Sequence, residues 1–166
     1  MARLTHTDRS GRARMVDVGD KPVTARRAVA RGEVRFHEQA AFSALRENRL
    51  AKGDALAVAR LAGIQAAKRT HEWIPLCHAV PLDQVEVEIA LDAKRRTATI
   101  TAQARARWHT GVEMEALVAV SGACLALYDM VKGLDRGTTI AEIALIEKDG
   151  GRSGRFRRDS LPKGGR

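Results

Sequence analysis

Two hydrophobic spacings alternate along this chain and divide it into strands and helices. Val85, Val87, Ile89 and Leu91 are separated by Glu86, Glu88 and Ala90, the period-two pattern of a half-buried strand. After a polar turn over residues 92–96, Thr97, Thr99, Thr101 and Gln103 alternate with Ala98, Ile100, Ala102 and Ala104. The two runs predict an antiparallel hairpin. A last strand is expected over 139–146, around Ile140, Glu142, Ile143 and Leu145. Residues 24–35 carry Val29 and Val34 among arginines and read as a strand with a turn at Gly32. Met15-Val-Asp-Val18 is short and β-prone, ended by Asp20-Lys-Pro22.

Helical spacing occupies the remainder. Ala57, Leu61, Ile64 and Lys68 recur at steps of four, three and four behind Asp54, a suitable N-cap. Ala59, Ala62, Gly63, Ala66 and Ala67 give this helix a narrow surface that a neighbour can approach closely. Ile74-Pro75 ends regular helix, because the residue before proline disfavours the α region. Phe36, Ala40 and Leu45 suggest a shorter helix between 36 and 50. From about Val112 to Lys132 runs the longest, and between Ala116 and Tyr128 its only conventional polar side chain is Ser121. A helix apolar on all sides expects burial. The pattern predicts an α+β fold, an antiparallel sheet with two long helices packed on one face in a ferredoxin-like arrangement. One domain is expected over 15–150, between a flexible basic arm (1–14) and a flexible, basic, glycine-rich tail (151–166).

Composition narrows this modestly. The chain has 166 residues, 45% of them apolar, enough for one buried core. No run approaches the roughly 18 apolar residues of a membrane span. The polar first ten residues, and two isolated thiols at Cys77 and Cys124 without CxxC spacing, point to the cytoplasm. The net charge of +9 lies in the ends: residues 1–35 hold nine basic against four acidic groups, and residues 151–166 six against one. Such ends are either solvated tails or a grip on an anionic ligand. A nucleic-acid-binding module would want aromatic platforms or a basic recognition helix, yet aromatics are 4% and both long helices are apolar or small.

The candidate chemistry clusters around the apolar helix. Glu113 and Glu115 open it, and Asp129 and Lys132 close it on one face. Ionised groups at the ends of a buried helix are costly unless paired or working. The plainer alternatives are first-turn carboxylates facing the helix dipole and a surface ion pair. Lys52, just before Asp54, reads either as an exposed lysine or as an anion contact at a helix N-terminus. His78 reads either as a hydrogen-bonded core residue or as a proton-transfer group. Cys77 reads as a packed thiol, and Cys124 as core. No phosphate loop, HExxH or GxSxG string occurs, and no spacing offers a preformed metal cage.

Taken together, the local strings resemble a known family. Lys52-Gly-Asp54, Ala66-Ala-Lys-Arg-Thr70, Ile74-Pro-Leu-Cys-His78, Thr110-Gly-Val-Glu-Met-Glu-Ala-Leu117 and Tyr128-Asp-Met130 with Lys132 closely resemble the cyclic pyranopterin monophosphate synthase family. This is the molybdenum cofactor biosynthesis protein C (MoaC) family. Met15–Val18, Thr24 with Arg26, and Gly150-Gly-Arg-Ser-Gly154 match its ends, so the likeness extends from about His6 to Phe156. It implies conversion of 3′,8-cyclo-7,8-dihydroguanosine 5′-triphosphate to cyclic pyranopterin monophosphate with release of diphosphate. The substrate would come from a radical S-adenosylmethionine GTP cyclase. It implies a homohexamer, a trimer of dimers with sites at subunit contacts, and no resident cofactor beyond Mg²⁺ that could accompany the triphosphate. It implies no nucleic-acid or membrane partner.

Carried over by position, Asp129 and Lys132 fall on the family's catalytic pair. Lys52, His78, Glu113 and Glu115 fall on its pocket, with Leu76, Cys77 and Met114 beside them and Asp17, Arg26 and Lys148 as further members. On this reading Lys132 and Asp129 move protons, His78 and the two glutamates assist at the ring, and Lys52, Arg26 and Lys148 hold phosphates. Three departures stand out: His109 replaces a frequent lysine, Val131 a usual cysteine, and Ala79 a usual proline. A homologue that assembles without catalysing remains the alternative.

Overall fold

A computed structural model describes residues 10–159. Residues 1–9 of the expected arm and 160–166 of the expected tail lie outside it. In chain order the elements are β1 (Thr24–Arg35), α1 (Gln39–Arg46), α2 (Ala55–Lys68), α3 (Thr70–Trp73), β2 (Gln84–Asp92), β3 (Thr97–Trp108), α4 (Glu113–Val131), β4 (Thr139–Asp149) and β5 (Phe156–Arg157). The strands form one sheet in the order β2-β3-β1-β4-β5, with every pairing antiparallel. The β-α-β-β-α-β succession of β1 to β4, with β1 and β3 central, is the ferredoxin-like arrangement expected. Both ends of the described chain differ from the sequence expectation. Met15–Val18 forms no strand, because its backbone serves the turn at Lys21 and the His78 side chain instead of a ladder. Residues 156–157 pair with Glu147 and Lys148, extending the sheet into the glycine-rich segment.

The alternation read from the sequence sorts the sheet's faces. Ala98, Ile100, Ala102, Ala104 and Ala106 of β3 and Ala28, Ala30 and Val34 of β1 are buried under the helices. The opposite face carries Thr99, Thr101, Gln103, Arg27 and Glu86, half-buried or exposed. Gly32 makes no turn: β1 passes straight through it, with a register shift against β4 between Arg31 and Glu33. A Cβ on Gly32 would lie 2.6 Å from the Val120 side chain of α4, so the glycine lets helix and sheet touch.

Helices α2 and α4 lie side by side on one face of the sheet, α2 over β2 and α4 over β1, β3 and β4, and the small-residue surface of α2 lets the two approach closely. A Cβ on Gly63 would sit 2.8 Å from the Ala119 carbonyl oxygen, and one on Gly122 would sit 2.6 Å from Ala66 Cβ. Burial therefore covers most of α4 within one chain, although its length and composition are those of a membrane-crossing helix. One strip of the apolar circumference stays open: Leu125 is 53% exposed, with Leu117 and Ser121 half-buried on the same side. As expected, Asp54 caps α2, its carboxylate accepting from Ala57 N at 2.9 Å. Replacing Gly63 by valine should force the helices apart and cost about 1–3 kcal/mol, the usual range for overpacking. Thermal unfolding of G63V at an unchanged melting temperature would contradict this packing account.

Candidate active site

The N-terminal end of α4 opens onto a cavity of about 500 Å³. The 74–80 segment supplies Leu76, Cys77 and His78, and the first turn of α4 supplies Glu113, Met114 and Glu115. Val16 and Val18 close it from the N-terminal segment. His78 Nε2 is 2.9 Å from the Val16 carbonyl oxygen. A carbonyl only accepts, so Nε2 carries the proton and Nδ1 is the side of the ring left for chemistry. Asp17, between the two valines, is turned to its own backbone, accepting from Gly19 N at 2.9 Å.

Glu115 is the unusual charge. Only 4% of it is exposed. Burial, resisted by a backbone hydrogen bond and reinforced by repulsion from Glu113, pushes its carboxyl up to about 7. The Cys77 thiol is raised by its own burial and then by the charge of Glu115, which makes it a poor nucleophile at neutral pH. Burial pushes Cys124 to about 12, as befits a core thiol.

A second cavity, of about 490 Å³, shares Lys21, Thr110, Gly111 and Arg152 with the first. Its other lining includes Thr24, Arg26, His109, Gly151 and Ser153, and no acidic residue is among them. Arg26 is a clamp: Nε donates to the Trp108 carbonyl at 3.3 Å and Nη2 to the His109 carbonyl at 3.2 Å. A side chain on Gly151, which has a φ of +77°, would collide with that guanidinium. Lys148 joins the wall through Ser153, to whose hydroxyl its ammonium donates.

Asp129, Lys132 and Lys52 meet at the opposite end of α4. Lys132 Nζ lies 2.8 Å from Asp129 Oδ1, and Lys52 Nζ lies 2.7 Å from both Asp129 Oδ2 and the Asp129 carbonyl oxygen. The hydrogen bond from Lys132, then that from Lys52, holds Asp129 down to about 2. Lys132 is raised in turn by Asp129. All three side chains are about half-exposed, so the cluster adds little to stability.

Within one chain the expected residues therefore divide into two groups rather than converging. Sixteen residues of helix separate Glu113 from Asp129, a rise of about 24 Å. The proposed phosphate grip divides as well: Arg26 and Lys148 border the basic cavity, whereas Lys52 is held by Asp129. The reason is geometric, since α4 is one unbroken helix that carries charge at both ends. Lys21, Arg152, Val16 and Thr110 were not singled out from the sequence. Lys21 carried only the general signal of a basic end and Arg152 only its place in the Gly150–Gly154 string, and nothing in the pattern tied the two to one cavity.

The buried carboxyl gives a direct stability test. Glu115 has a folded value near 7 against an ordinary 4.5. Between those pH values the folded chain keeps a proton that the unfolded chain has lost, so raising the pH favours unfolding. The loss begins near pH 4.5, is complete above about 7, and amounts to at most about 3 kcal/mol. Glu115→Gln should remove it. The wild type should lose stability relative to E115Q between pH 5 and pH 8 in thermal melts, and parallel curves would contradict the assignment.

The MoaC family profile matches residues 15–151. A cyclic pyranopterin monophosphate synthase of Thermomicrobium roseum is 56% identical over 159 residues, covering 96% of this chain and 95% of that protein. One from Cereibacter sphaeroides is 53% identical over 156 residues, covering 94% and 98%. Molybdenum cofactor biosynthesis protein 1 of Bos taurus is 55% identical over 156 residues, which cover 94% of this chain and 24% of that longer protein. With both cavities and their lining falling almost wholly inside the matched span, this chain belongs to the MoaC family.

Proposed function

We propose that this chain is a cyclic pyranopterin monophosphate synthase, a diphosphate-releasing lyase of molybdenum cofactor biosynthesis that acts on 3′,8-cyclo-7,8-dihydroguanosine 5′-triphosphate. The observation that carries the reading is the pair of joined cavities. One is partly apolar, with an imidazole and two carboxyl groups; the other is lined by cations and no carboxylate. A flat purine-derived ring suits the first and a polyanionic tail the second. Lys21 and Arg152, shared by both, would sit where ring and phosphates join. Mg²⁺, where it takes part, would come with the triphosphate. A radical S-adenosylmethionine GTP cyclase supplies the substrate, in the cytoplasm.

Opening and reclosing a purine ring moves protons in both directions. Glu115, poised near 7, can give or take one at neutral pH. Lys132, stabilised as an ammonium by Asp129, enters as a donor and becomes a base only after that pairing loosens. Asp129 stays ionised throughout and holds the ammonium groups of Lys52 and Lys132 together. For this cluster to reach a ring bound beside His78, the far end of α4 must come from another copy of the chain. The exposed apolar side chains Leu61 and Val58 on α2 and Leu125 on α4 support such a contact, and the hexamer is the assembly we assign.

Purified protein given the cyclised nucleotide should yield the pterin and diphosphate in equal amounts. Absence of both from the wild type would overturn the function and favour a silent homologue. Lys132→Ala should lower diphosphate release by roughly 100-fold or more, the scale of a lost acid–base group, while its assembly in sedimentation stays unchanged. Substantial remaining turnover would remove Lys132 from this role.

A further inference from the structure

One side chain in the basic cavity is arranged for more than charge. His109 Nδ1 lies 2.5 Å from the Lys21 carbonyl oxygen. A carbonyl cannot donate, so Nδ1 bears the proton, and in the neutral ring Nε2 is left with its lone pair. Among the described residues Nε2 has no partner. Two further contacts hold the residue, one at its ring and one at its backbone. Its edge-to-face neighbour is Trp108, with ring centroids 5.0 Å apart and planes at 73°. Its own backbone carbonyl is gripped by Arg26 Nη2 at 3.2 Å. An imidazole fixed through one nitrogen and open at the other is the arrangement of a general base, and here it lines a cavity of cations.

We propose that His109 is a catalytic base for closure of the cyclic phosphate. This rests on the reaction proposed above and adds a residue to its second half. Nε2 takes the proton of the ribose-derived hydroxyl as that oxygen bonds to the α-phosphorus. The bond from the α-phosphorus to the bridging oxygen of the β-phosphate breaks, and diphosphate leaves with the bonding electron pair. Lys21 and Arg152 line the same cavity, and no hydrogen bond or ion pair ties either side chain among the described residues, so both can neutralise the departing anion. No oxidant or additional reactant is needed. Arg26, whose Nε and Nη2 are spent on backbone carbonyls, acts by holding His109 in place.

The test separates the base from its anchor. Asn in place of His109 puts an amide N–H where Nδ1–H was, so H109N can keep the tie to Lys21 while losing the base. Gln reaches the Nε2 position with an amide that cannot take a proton. Both variants should release diphosphate roughly 100-fold or more slowly in kcat, with KM within about threefold of wild type. Rapid quenching should catch a rearranged pterin that still carries its triphosphate. Wild-type kcat in either variant, or a raised KM with kcat unchanged, would mean that His109 only contacts the anion and would overturn the proposal. Wild-type turnover is the control: if it is absent, the reaction itself is misassigned, whereas active wild type with active variants removes His109 alone.

Discussion

Close approach of α2 to α4 is the constraint on which the rest of the molecule depends. A 19-residue helix with an apolar circumference must be covered along nearly its whole length. The sheet covers one side through alanines and Gly32, and α2 covers another through Gly63 and Ala66. Small residues at the contact let backbone meet backbone, and a bulky side chain at any of these positions would separate the layers. What this packing achieves is one unbroken helix with charged groups at both tips. Its first turn forms the floor of the cavity beside His78, and its last turn displays Asp129 and Lys132.

The electrostatics of the two tips differ in kind. At the N-terminal tip Glu115 is buried without a cation, so it holds its proton more tightly than an ordinary carboxyl and exchanges it near neutrality. At the C-terminal tip Asp129 lies between two ammonium groups in reach of water, so it remains an anion and keeps Lys132 charged. One tip is a titrating group and the other a fixed ion cluster. A purine rearrangement can use both kinds, and the helix keeps Glu115 and Asp129 about 21 Å apart in any single chain. That separation, rather than any missing residue, is the ground for proposing that a second copy completes the site.

Much of the fold could be read in the residues because burial and period agree. The alternation through Ala98, Ile100 and Ala102 sorted one strand's faces, Asp54 marked a helix start, and Gly63 with Ala66 announced a close contact. Gly32 misled because the same residue serves a turn and a helix approaching a sheet, and only the neighbour across the gap decides. Met15–Val18 misled because β-propensity says nothing about whether a partner strand is available. The site was legible as a set of residues but not as an arrangement. Spacing put Asp129 with Lys132 on one face, yet Lys52 joined them through a contact 77 residues distant. His109 was visible only as a departure from a resemblance, since its meaning lies in a carbonyl at Lys21 that no local pattern reveals.

The central claim is that each active site takes its buried carboxyl and imidazole from one copy and its lysine–aspartate cluster from another. Subunit mixing tests it most directly. Chains carrying only His78→Ala and chains carrying only Lys132→Ala, each inactive alone, are unfolded together, refolded and assayed. Shared sites pair two intact halves at random in about a quarter of cases, so about a quarter of wild-type turnover should return. Turnover that stays at the level of the separate variants, in assemblies shown to contain both chains, would mean that each copy works alone and would contradict the account.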